Sequence, residues 1–137
     1  MNSEASPTHG LATPVVPVSW GDLFDKITIL EIKEEKLEAV RALANVRREL
    51  ELLRQFTDAI EHEDLADLIA DLKAVNAQLW QIEDDIREKE REKDFTEEFT
   101  TLARAVYIQN DRRAGLKRRI NLLLGSELAE EKSYKAY

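Results

Sequence analysis

All three prolines of this chain, Pro7, Pro14 and Pro17, fall in its first 17 residues, and the remaining 120 of its 137 residues carry none. Proline breaks helix interiors and central strands alike, so a stretch this long without it favours long uninterrupted elements. Glycine is nearly as scarce, at four residues, whereas an all-β fold rich in turns needs both. With 43% hydrophobic and 35% charged residues, the composition suits amphipathic helices with solvated outer faces.

Apolar periodicity places the helices. Met1 to about Thr13 is expected to be disordered, with Val15, Val16 and Val18 able to lay an extended arm on the body. Ser19 reads as an N-cap with Asp22 three residues on, and a first helix follows from Trp20 through Leu23, Ile27, Leu30, Leu37 and Val40. Nothing from Glu38 to Asn45 forces a stop, but an unbroken helix over 20–56 would be about 55 Å long. A break with Asn45 capping a second helix, Val46 to about Phe56, is therefore preferred. Asp64 can cap a third helix along Leu65, Leu68, Ile69, Leu72, Val75, Leu79, Ile82 and Ile86, edged by Trp80. Asp94, with Glu97 at the box position, caps a fourth from Phe95, which Gly125 stops. The short turn makes an antiparallel hairpin over 64–124. Its first helix has nine acids and four bases over Asp64–Glu92, its second three acids and six bases over Phe95–Leu124. The expected organisation is a flexible arm 1–18, a single helical domain 19–125 and a tail 126–137, forming an all-α three- or four-helix bundle on that hairpin.

The last long helix breaks its own pattern. Phe95, Phe99, Leu102, Ala103, Val106, Ala114, Ile120 and Leu124 share one face with Asn110, Arg113, Lys117 and Asn121. Buried amides need partners and buried cations need counter-ions, so this face implies a paired polar network or a ligand site. The third helix contributes Asn76 and Glu83 on its stripe, with Arg87 and Glu90 near its end. A turn near residue 93 sets Asn76 beside Asn110 and Glu83 near Arg104, which shares an edge with Tyr107 and Asp111. Two interior levels are expected, an Asn–Asn level and a Glu–Arg–Tyr–Asp level. Such groups either fix register, as buried Asn does in coiled coils, or line a pocket.

Other chemistry has little support. The net charge of −8 argues against nucleic acid and anionic membrane as partners. The absence of Cys removes disulfides and thiolate metal sites, and no apolar run reaches the roughly 18 residues of a membrane span. No signal-peptide pattern opens the chain, so a cytoplasmic protein is expected. His9 lies in the arm and His62 between helices, which disfavours a His-based metal site or base, and no metal or cofactor is expected. Glu83-Asp84-Asp85 with Glu31, Glu34 and Glu35 suggests the carboxylate halves of a magnesium-dependent nucleotide pyrophosphohydrolase, at a spacing that matches poorly. Trp20 and Trp80 are expected to pack bundle ends, and Gly115 either admits a close backbone or weakens its turn.

Five stretches carry a resemblance: VSWGDLFDKITILEIK (18–33), ANVRRELELL (44–53), LWQIEDDIREKE (79–90), ARAVYIQNDRRAGLKRRIN (103–121) and GSELAEEKSY (125–134). Together they resemble a small bacterial all-helical family of unknown function, found alone or beside glycosyltransferase and tetratricopeptide-repeat segments. The resemblance implies no activity. It hints at surface-polysaccharide metabolism and draws in Asp25, Lys26 and Lys33, whose lysines could form a cationic mouth with Arg113 and Lys117 for a phosphate or carboxylate. The tail Glu131–Tyr134 could fold over that mouth. The chain departs from the family pattern at Glu38–Leu43, where relatives carry a turn-forming insert.

The leading expectation is a non-enzymatic binding or interaction module, homodimeric because helices this long leave apolar surface to cover. Its partner would be a protein or a small anionic ligand. The alternative is a small helical enzyme of the chorismate-mutase kind, with Glu83, Arg113 and Lys117 acting by electrostatics, though the cation spacing on the first helix differs from that family's. A pure oligomerisation scaffold would need every interior charge paired within the protein.

Overall fold

A computed structural model describes residues 10–131, 135 and 136. Four helices are present among them: α1 (Trp20–Lys36), α2 (Val40–Arg54), α3 (Leu65–Glu92) and α4 (Glu97–Leu124). The fold is all-α. Residues 10–18 precede α1 without regular structure, and Val15, Val16 and Val18 are exposed, Val15 to 88%. The expected apolar arm on the body is therefore corrected. The rest of the stretch expected to be disordered, 1–9 with His9, lies outside the described residues, as do Lys132, Ser133 and Tyr134 of the tail.

Ser19 caps α1 as its pattern implies, its hydroxyl accepting from the Asp22 N–H at 3.0 Å. The helix ends earlier than expected. Leu37 is extended, at φ −77° and ψ 142°, though its N–H still reaches the Lys33 carbonyl at 2.8 Å. The second helix thus starts at Val40 rather than Val46, and Asn45 sits exposed within it, capping nothing. Turning back here lets Val46 and Leu50 pack on Leu23, Ile27 and Leu30, with Leu37 and Leu53 at the margin. A continuous helix would leave both apolar faces in water, and burying them outweighs extending a helix by a few bonds.

Asp64 precedes α3, but its side chain makes no cap bond. Lys93 closes α3 in the left-handed region at φ 58°, with its N–H on the Glu90 carbonyl. Asp94 then binds back to Thr96, accepting from its N–H at 3.2 Å and its hydroxyl at 2.6 Å. The result is an N-cap at Thr96 and a helix beginning at Glu97, two residues later than the periodicity suggests. Phe95 and Phe99 meet edge to face at 5.2 Å across this start. Gly125, at φ 64°, ends α4 as expected, and the Ser126 N–H returns to the Asn121 carbonyl at 2.8 Å.

The α1 helix is the hub. It packs on α2, α3 and α4, whereas α2 packs on no helix but α1. On its other side Phe24 joins Leu65, Leu68, Leu72 and Ile120 in a second apolar cluster, and Trp20 touches both clusters. No residue from Ala77 to Arg119 is fully buried. The outer half of the hairpin is therefore two helices leaning on each other, with Trp80 half-buried on its flank.

Candidate functional site

Where α1 crosses the hairpin, the apolar core gives way to a polar layer centred on Asp25. Its carboxylate is buried among α1, α3 and α4. Arg113 of α4 grips it with a fork, Nε donating to Oδ1 at 2.9 Å and Nη2 donating to Oδ2. Asn76 of α3 donates its amide to the same Oδ1 at 2.9 Å and to the Thr28 hydroxyl at 2.9 Å. Thr28, wholly buried, donates in turn to the Asp25 carbonyl at 2.8 Å. Asn110 lends its side-chain oxygen to Arg113 Nη1 at 3.5 Å. The hydrogen bond from Asp25 raises the Arg113 pKa despite the opposing cost of its burial.

One turn back along α1 lies a second set of bonds. Asn121, buried, accepts from the Gly21 N–H at 2.6 Å. Gly21 sits so close to α4 that a Cβ there would stand 2.5 Å from the Lys117 carbonyl oxygen. The Lys117 side chain is only 11% exposed and bridges Asp22 at 2.8 Å and Glu130 at 2.7 Å. Burial disfavours its charge, but the hydrogen bonds to Asp22 and Glu130 outweigh that and its pKa is raised. The Ser126 hydroxyl accepts from the Trp20 N–H at 3.3 Å. The first three N–H groups of α1 are thus taken by Ser126, Asn121 and Ser19, which closes the helix N-terminus as an anion site. The cavity beside Lys117, lined by Arg118, Asn121 and Glu130 among others, holds about 20 Å³, room for one water.

Of the residues singled out in the sequence, Asn76, Asn110, Arg113, Lys117 and Asn121 come together around α1. The pairing differs from that expected: Asn76 serves Asp25 and Thr28, and the expected Asn–Asn level is organised instead around a carboxylate from α1. The second expected level is not interior. Glu83 is 54% exposed and faces Arg87 at 3.5 Å along its own helix, and Arg104, Tyr107 and Asp111 are exposed. Glu83 shares the Asn76 side of α3 one heptad on, beyond the reach of α1, so helical spacing alone could not separate the two.

The expected cationic mouth does not assemble either. Lys26 turns to α2 and pairs with Glu49 at 2.8 Å, while Lys33 is half-buried in the last turn of α1. Glu130 pairs with Lys117 at 2.7 Å, and Lys132, Ser133 and Tyr134 of the tail expected over the mouth lie outside the described residues. Four of the six carboxylates considered for magnesium sit in ion pairs: Glu31 with Arg54, Glu34 with Arg47, Glu35 with Lys73 and Glu83 with Arg87. Among the described residues no three metal-ligating side chains cluster. Gly115 has nothing within 4 Å of a would-be Cβ, so the close approach belongs to Gly21 instead.

Periodicity does not mark Gly21, Thr28, Ser126 or Glu130, Asp22 stands out only as part of the Ser19 cap and not as the partner of Lys117, and Asp25 enters only through the resemblance. Gly21 did leave a signal: a glycine in the first turn of a helix costs stability unless a neighbour needs the room. No curated protein and no solved structure matches the chain. The model of a family of unknown function, DUF6165, matches residues 15–137, and the chain belongs to that family.

Proposed function

We propose that this protein is a non-enzymatic interaction module, in which the polar layer sets how α1 lies across the hairpin and the outer helix faces do the binding. One observation carries the reading: each interior cation already has a carboxylate from its own chain, Arg113 on Asp25 and Lys117 between Asp22 and Glu130. Electrostatic catalysis of the chorismate-mutase kind needs such cations free to grip a substrate. A forked Arg–Asp pair with an Asn at its side is instead directional, and disfavours any other placement of α1. The resemblance to proteins found beside glycosyltransferase segments supports a finer reading, an accessory to an enzyme of bacterial surface-polysaccharide assembly.

Two measurements test this. Thermal-shift screening against nucleotide sugars, sugar phosphates, chorismate and magnesium nucleotides is expected to give no stabilisation. Asp25→Ala strands Arg113 and Asn76 and is expected to cost about 2–3 kcal/mol, discounted from the fully buried case because Arg113 is 30% exposed. Glu83→Ala, on the surface, is expected to stay within about 0.5 kcal/mol of the parent. Stabilisation by a small anion, abolished in a folded Arg113→Ala or Lys117→Ala variant, would overturn the reading.

A further inference from the structure

The side of the hairpin turned away from α1 carries two rows of unlike charge. On α3, Asp67, Asp71, Gln78 and Asp85 recur at helical spacing opposite Asn76, which faces α1. On α4, Arg104, Arg112 and Arg119 recur likewise opposite Lys117. The rows lie on one side of the molecule, since Asp67 and Asp71 line the same open groove as Arg119 and Leu122. Among the described residues none of these three arginines has an ion-pair partner, nor does Asp67 or Asp71.

We propose that this face is the interface of a symmetric homodimer, two hairpins packed back to back about a two-fold axis parallel to their length. The proposal rests on the reading of the chain as an interaction module and names its partner as a second copy. Asn76 and Arg113 share one oxygen of Asp25, and this fixes which positions of the two helices stand abreast. Asp71 is level with Arg119, Ala74 with Gly115, and Asp85 with Arg104. An axis along the hairpin lays α3 of each copy on α4 of the other at equal height, so each of those pairs forms twice across the interface. An axis across the hairpin would set aspartate row on aspartate row, which repulsion disfavours.

The surface also suits close packing. Gly115 is open to the outside, with nothing within 4 Å of its would-be Cβ, and it would meet the small Ala74 at mid-face. Ile108 and Leu122, both exposed, add apolar contact. Helices of 28 residues are about 42 Å long, and two abreast are roughly 20 Å wide. That makes about 800 Å² per partner, the size of a standard specific interface.

Light scattering after gel filtration of the full chain at micromolar concentration is expected to give twice the 15.8 kDa chain mass. Asp71→Arg and Arg119→Glu are each expected to give the single-chain mass at unchanged helix content, and the two together to restore the double mass. A parent of single-chain mass, a dimer untouched by either swap, or no restoration by the pair would overturn the proposal. These outcomes leave the interaction-module reading to the ligand screen, where a small-anion shift is what defeats it.

Discussion

Gly21 occupies the second position of α1 because its α-carbon passes α4 where a methyl group would lie 2.5 Å from the Lys117 carbonyl oxygen and 3.0 Å from the Asn121 side-chain oxygen. The nearest obstacle is backbone, which cannot swing aside as a side chain can. Alanine is a better helix former than glycine by about 1 kcal/mol, so local propensity alone would make Gly21→Ala stabilising. Close packing argues the reverse, since α1 must back away from α4 and loosen the 2.6 Å bond from the Gly21 N–H to Asn121. A net loss of about 2–3 kcal/mol in urea denaturation is expected; a neutral or stabilised variant would show that α1 docks less tightly. At this scale the sequence spoke through types. Asn110, Arg113, Lys117 and Asn121 stood out because amides and cations on an apolar stripe demand partners. Their partners Asp25, Thr28 and Glu130 were hidden, and Asp22 marked only a cap, because Asp and Thr on a helix edge or Glu in a tail look like ordinary surface residues until another element meets them.

Between α3 and α4 the chain reverses through a small ion-paired turn. Lys89 bonds Asp94 at 3.1 Å and Glu98 at 2.6 Å, and Asp94 also holds Thr96. The hydrogen bond from the Thr96 hydroxyl, then that from Lys89, lowers the Asp94 pKa from 3.8 to about 2. A carboxylate with a depressed folded pKa contributes stability above its unfolded value and loses it as pH falls toward the folded one. The contribution of Asp94 is therefore complete above pH 3.8 and fades as pH drops toward about 2. Asp94→Asn removes that titration, so urea midpoints of the variant should fall less steeply than the parent's over this acid range. Equal slopes would count against the turn's role. The sequence singled out Asp94 but read it as the cap itself, because the Asp94–Thr96 bond that moves the helix start is a local choice periodicity does not record. The break after Lys36 was harder still: no Gly or Pro marks it, and it exists because Leu50 and Val46 are buried only when the chain folds back.

Across the whole molecule, stability is unevenly placed. Leu50, Leu72 and Ile120 are the largest fully buried apolar side chains, and all lie near α1, while nothing between Ala77 and Arg119 is fully buried. The overall bundle was legible because its long stripes are periodic, yet the stripes continue unchanged along α3 past Val75 to Ile86 and gave no hint that the cover stops. One helix therefore crosses two environments, an inner half within a core and an outer half that, among the described residues, packs on α4 alone. Truncation should report the difference. Leu72→Ala, in the inner half, is expected to cost about 3–5 kcal/mol, and Ile86→Ala, half-buried on the same seam, about 1–2 kcal/mol. Hydrogen exchange offers the same contrast without mutation, because amides fully enclosed by packing exchange only when the whole fold opens, and thinly covered ones exchange through local opening. In the dilute single chain, protection along α3 should stay near the global value through Asn76 and decline beyond Trp80. Even protection from Leu68 to Lys89 would mean that the outer hairpin borrows cover from elsewhere. The homodimer face could supply it, in which case protection of the outer half would rise with protein concentration and vanish in Arg119→Glu.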